Sequence, residues 1–100
     1  MHPARVDRQR VQQLTDLPNV GPACARDLQL LGIQSPAQLR GRDAYAMYRE
    51  LCARSGQRHD PCVIDVFLSI TDFIEGGAPQ PWWAYTAARK QALAAGGVGP

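Results

Sequence analysis

Apolar residues recur at helical spacing along most of the chain. From Pro61 to Glu75, the residues Val63, Val66, Phe67, Ile70, Phe73 and Ile74 fall three or four positions apart, and Ile64 and Leu68 widen the stripe. That width predicts the central helix of a core. Between Ala44 and Arg54, the residues Ala44, Tyr48, Leu51 and Cys52 share one face; Asp43 is placed to cap this segment and Gly56 to end it. Cys24, Ala25, Leu28 and Leu31 form a third face, Val6 to Thr15 reads as an opening helix, and Trp82 to Ala95 reads as a closing one. Proline punctuates the pattern: Gly21-Pro22, Ser35-Pro36, Asp60-Pro61 and Gln80-Pro81 each precede an apolar segment. A helix tolerates proline at its first position because the missing N–H would be unpaired there anyway. No segment alternates with period two long enough to form a strand. The pattern therefore predicts an all-α single small domain of five or six short helices over residues 1–95, with Gly96-Gly97-Val98-Gly99-Pro100 as a disordered tail.

Composition narrows this further. In 100 residues, 45% are hydrophobic and 20% charged, which suits one globular core and is too apolar for a disordered chain. No apolar run reaches the roughly 18 residues of a membrane span, and Met1-His2-Pro3-Ala4-Arg5 lacks the apolar stretch of a signal peptide. A cytoplasmic protein with no membrane partner is expected. Three cysteines in a reducing compartment are expected to be free thiols rather than a disulfide framework. The net charge of +2 comes from ten arginines and one lysine against nine acidic residues, a balance that permits nucleic-acid binding without demanding it.

The chemistry concentrates between Leu14 and Ile33. Leu14 and Leu17 close one helix, Pro18-Asn19-Val20-Gly21 has room only for a tight reversal, and Pro22 opens the next helix. Glycine reaches backbone conformations closed to other residues and lets a phosphate approach the main chain, and asparagine is among the few other residues that tolerate positive φ. A turn feeding a helix N-terminus offers unpaired N–H groups and the positive end of the helix dipole to an anion.

This stretch resembles the helix-hairpin-helix motif, whose pattern is Leu-Pro-Gly-Ile-Gly-Pro-Lys-Thr-Ala, then a leucine and Gly-Ile. Gly21, Pro22, Ala25, Leu28 and Gly32-Ile33 match, whereas Asn19 replaces the first glycine and Ala23 replaces the lysine. The resemblance implies sequence-independent binding of DNA or RNA backbones through hairpin N–H groups. From about Val11 to Lys90, including Arg58 to Phe67 and Pro81 to Thr86 with Arg89-Lys90, the chain also resembles the bacterial pathogenicity-locus family, often labelled mitomycin resistance proteins. That label implies a cellular association and no mechanism.

The expected function is a non-enzymatic, sequence-independent DNA-backbone-binding module, with weak affinity. Its contact residues would be Asn19, Val20, Gly21 and Ala23 through their N–H groups, and Arg26, Arg40 and Arg42 through their charge. The competing reading is a protein-interaction or scaffold domain that keeps the hairpin for packing. The link from Ser55 to Asp60, with Gly56, Arg58 and His59, could be a degenerate second hairpin, although it lacks Gly-x-Gly. Cys24, Cys52, His59 and Cys62 match no standard zinc spacing, and the two helical cysteines read as small hydrophobes, so no metal or cofactor is expected. Nothing identifies an oxyanion hole beside Cys62 and His59. Of Trp82 and Trp83, adjacent helical residues about 100° apart, at most one is expected in the core, sealing it rather than stacking bases.

Overall fold

A computed structural model describes residues 1–96, so the expected tail from Gly97 onward lies outside the described residues. Four α-helices are present: α1 (Pro22–Leu30), α2 (Ala44–Ser55), α3 (Cys62–Ile74) and α4 (Thr86–Ala94). Short 3-10 turns at Pro3–Arg5, Arg8–Arg10, Leu14–Asp16, Pro36–Leu39 and Trp82–Tyr85 complete the helical content, and no strand occurs among the described residues.

The expected boundaries of α2 and α3 hold to within a residue, for the expected reasons. The Asp43 carboxylate accepts the Ala46 N–H at 3.0 Å, and Gly56 ends α2 at φ 68°, a left-handed value that glycine adopts without strain. Asp60 accepts the Cys62 N–H at 2.8 Å ahead of α3. The opening helix, by contrast, does not form. Val6, Val11 and Leu14 are spaced five and three apart, which makes no helical stripe. Asp7 and Asp16 also turn their carboxylates back on the N–H groups of Gln9, Gln12 and Gln13, a local alternative to helix. Residues 6–15 are thus extended chain punctuated by turns. The closing helix also starts late, since Trp82 to Tyr85 is a 3-10 turn and the α-helix begins at Thr86.

Helix α3 is the centre of the core, packed against α2 and the Trp82–Tyr85 turn and touching α4 and the Pro36–Leu39 turn. Its fully buried face is Ile64, Phe67, Ile70 and Phe73, so the stripe lies slightly rotated from the expected one, leaving Val63 and Val66 half-buried. Leu14, Leu17, Val20, Leu28, Leu31 and Ile33 supply the facing wall, with Met47, Tyr48 and Leu51 from α2. All three cysteines are free thiols.

Two polar devices hold the ends of α3. Arg8, from the extended N-terminal segment, donates to the carbonyls of Phe73 and Gly77 and lies 4.0 Å over the Phe73 ring, placing a cation at the negative end of the helix. Inside the helix, Asp65 is fully buried and paired with Arg89 of α4 at 3.0 Å, while Thr86 donates to its second oxygen at 2.8 Å. Both carboxylate oxygens are therefore satisfied, and the carboxylate holds Arg89 protonated by raising its pKa.

Candidate functional site

The Pro18–Gly21 reversal is pinned from below. Leu14, Leu17 and Val20 insert into the core and Pro18 is buried, leaving Gly21, Pro22 and Ala23 at the surface. Asn19 takes the left-handed conformation, φ 67°. Its side chain faces inward, where Nδ2 donates to Ser69 Oγ of α3 at 3.0 Å and to the Gln80 carbonyl at 2.8 Å. The hairpin is thereby tied to α3 and to the segment that leads into the Trp82–Tyr85 turn.

Of the expected main-chain donors, two are already used. The Asn19 N–H donates to the Met1 carbonyl at 2.7 Å, and the Val20 N–H to the Leu17 carbonyl at 3.4 Å. The Met1 nitrogen donates in turn to the carbonyls of Leu17 and Val20, at 2.9 and 2.8 Å. Past this closed turn, the N–H groups of Gly21, Ala23 and Cys24 have no acceptor among the described residues, and the first helical bond is Ala25 N–H to the Gly21 carbonyl at 2.9 Å. The donor set is thus Gly21, Ala23 and Cys24, at the N-terminus of a nine-residue helix. Gly21 itself is extended, φ −99°, and a Cβ built on it meets nothing within 4 Å. Its value at this position is open access to the main chain, and the expected need for an unusual backbone angle belongs to Asn19 instead.

The arginines divide. Arg26 is exposed one helical turn beyond Ala23. Arg42 is half-buried and pairs with Glu50 at 3.4 Å, and Glu50 also holds Arg54 at 2.7 Å. Arg40 lines a separate cleft with Arg8, Val11, Pro36, Ala37, Phe73 and Ile74. Neither Arg40 nor Arg42 lines the hairpin's own cleft.

That cleft has about 340 Å³ of open space and is bounded by Met1, His2 and Pro3, by Asn19, Val20 and Gly21, and by Trp82 and Trp83. The two tryptophans meet edge to face, ring centroids 5.6 Å apart and planes at 82°. Trp82 is half-buried and Trp83 is 63% exposed, so neither belongs to the buried core that one of them was expected to seal. Sequence periodicity carries no trace of this neighbourhood, because Gly21 and Trp83 are brought together only by tertiary packing. A proline ahead of two large aromatics in a polar stretch was the available signal.

The other candidate chemistry resolves into structure. His59 Nε2 meets Ser55 Oγ at 2.8 Å, its N–H reaches Cys52 Sγ at 3.5 Å, and its carbonyl accepts from the Tyr48 hydroxyl, so the residue knits the α2–α3 link together. Burial pushes the Cys24 thiol up to about 12, and the hydrogen bond to Asp60 raises Cys62, the opposite of an activated nucleophile. No group of three or more His, Cys, Asp or Glu is placed to hold a metal ion among the described residues, nor is any helix there long and apolar enough to cross a membrane.

Comparison with known proteins gives two findings. The family described as pathogenicity locus matches residues 7–91. A mitomycin resistance protein, McrB of Streptomyces lavendulae, is 46% identical over 84 residues, covering 84% of this chain and 80% of that protein. No solved structure matches.

Proposed function

Since this chain belongs to the pathogenicity locus family, whose name states an association and no chemistry, we propose a function from the hairpin itself: sequence-independent binding of a nucleic-acid backbone, in the manner of a helix-hairpin-helix module. One observation carries the reading. Three main-chain N–H groups, those of Gly21, Ala23 and Cys24, lie without acceptors among the described residues at a helix N-terminus with the exposed Arg26 one turn away. Main-chain donors and a helix dipole suit a phosphate and read no base, so the binding discriminates by backbone and not by sequence. The relative's name adds resistance to mitomycin as a cellular setting.

The geometry reduces the expected contact set to Gly21, Ala23, Cys24 and Arg26, since Arg42 is paired with Glu50 and Arg40 borders a separate cleft. Affinity is therefore micromolar or weaker, and with so few cationic contacts the log–log salt slope is shallow, about −1 to −2. Fluorescence anisotropy of two labelled duplexes of unrelated sequence, between about 50 and 200 mM salt, tests this. Equal, weakly salt-dependent binding of both supports the reading, and absence of binding at the lowest salt by these duplexes and by single strands alike overturns it. In that event the hairpin is a packing device, a reading favoured by the commitment of both Asn19 amides to bonds within the chain.

A further inference from the structure

Trp83 is the largest exposed apolar side chain among the described residues, and it stands in the cleft that also contains the hairpin. An exposed indole offers a flat apolar face, and here that face borders an open cleft able to receive an occupant. Its position is fixed. Pro81 precedes the turn, Trp82 braces the ring edge to face, and the Gln80 carbonyl is held by the Asn19 side chain, which ties the turn to the hairpin. Tyr85, on the same turn, is anchored to α3 through Asp72 at 2.7 Å, and Thr86, just beyond it, through the buried Asp65.

The size of the cleft selects the occupant. At about 340 Å³ it lies at the small end of ligand sites and has room for a flat ring system. Charge selects further, because the rim carries His2 and the open Gly21 N–H and no acidic side chain. An aromatic ring joined to an anion fits both, and a nucleotide within a nucleic-acid strand has that composition. From this we infer that Trp83 stacks an unpaired base while the adjoining phosphate lies against the Gly21 end of the hairpin. The favoured partner is then nucleic acid with unpaired bases, single-stranded or frayed, rather than blunt duplex, in which paired bases cannot leave the stack without cost. This deepens the proposed backbone-binding function and rests on it.

The test compares three labelled probes of equal length by anisotropy at low salt: a thymidine homopolymer, its uridine RNA counterpart, and a blunt duplex. Each is measured with wild type and with Trp83→Ala, whose fold is verified by circular dichroism. The wild type is expected to bind the single strands several-fold more tightly than the duplex, with tryptophan fluorescence quenched on binding. Trp83→Ala should weaken single-strand binding roughly tenfold or more while changing duplex binding less than about twofold. Trp83→Phe, which keeps an aromatic face, should recover part of the loss. Equal DNA and RNA affinity assigns the recognition to ring and phosphate, and an RNA preference beyond tenfold contradicts it by requiring the 2′-hydroxyl. Duplex binding with no single-strand preference, or single-strand binding untouched by Trp83→Ala, overturns this inference alone. Failure of all three probes to bind overturns the backbone-binding function as well.

Discussion

At the scale of single residues, the hairpin separates two jobs that its sequence merges. Asn19 carries the left-handed angle and two side-chain hydrogen bonds, whereas Gly21 carries exposure. Asn19→Ala should cost about 2–3 kcal/mol, from the strained φ and the orphaned partners, and Asn19→Gly should recover the conformational share, as urea unfolding will measure. Gly21→Val should leave stability within about 0.5 kcal/mol, because φ −99° and open space accommodate the side chain, yet it should weaken nucleic-acid binding by shielding the main chain. Ala23→Lys should strengthen that binding several-fold. Cys24 gives a pH signature. Its thiol is held neutral to about 12 in the folded chain but ionises near its ordinary value when unfolded, so the unfolded state binds fewer protons between those limits. The stabilisation from Cys24 is full below about pH 8.5 and is lost as pH rises from there toward about 12, and Cys24→Ala should flatten that part of the decline in unfolding measured at successive alkaline pH values. Sequence alone identified asparagine as able to take positive φ. It misassigned Gly21 because a glycine's identity does not state which conformation its neighbours impose.

At the scale of elements, what periodicity encodes was legible and what long-range pairing encodes was not. Helices α2 and α3 follow from apolar stripes with an aspartate ahead of each, and the end of α2 from its glycine stop. The N-terminal segment defeated the same reasoning because a few apolar residues among polar ones mark an extended chain crossing a core as readily as a helix. Nor does any local pattern announce that Asp65, on an apolar helix face, pairs with Arg89 on another helix. Phe67, fully buried at the middle of α3, tests the core: Phe67→Ala should cost about 3–5 kcal/mol by urea unfolding. Asp65→Ala leaves Arg89 buried without its carboxylate and should cost a similar 3–5 kcal/mol, far more than the same change at the exposed Asp7–Arg10 pair. Because Asp65 also binds Thr86, next to the tryptophan turn, Asp65→Ala should alter tryptophan fluorescence even where the chain stays folded.

At the scale of the whole molecule, the radius of gyration of 12.7 Å matches the roughly 13 Å of a compact chain of this length, so the described residues form one body around α3. On that body the cationic side chains are dispersed: Arg8 caps a helix, Arg42 and Arg54 flank Glu50, and Arg89 is buried with Asp65. With these four side chains committed to contacts within the chain, the proposed binding depends on a few directional N–H donors and the exposed Arg26 more than on net charge. Amide proton–nitrogen spectra recorded during titration with DNA of arbitrary sequence, single-stranded and duplex in turn, test that dependence most directly. The account predicts that the signals of Gly21, Ala23 and Cys24 shift the most and move downfield as their N–H groups find phosphate, while Asn19 and Val20, already bonded, shift less. Shifts centred on another face, or none at DNA concentrations well into the millimolar range, would contradict it.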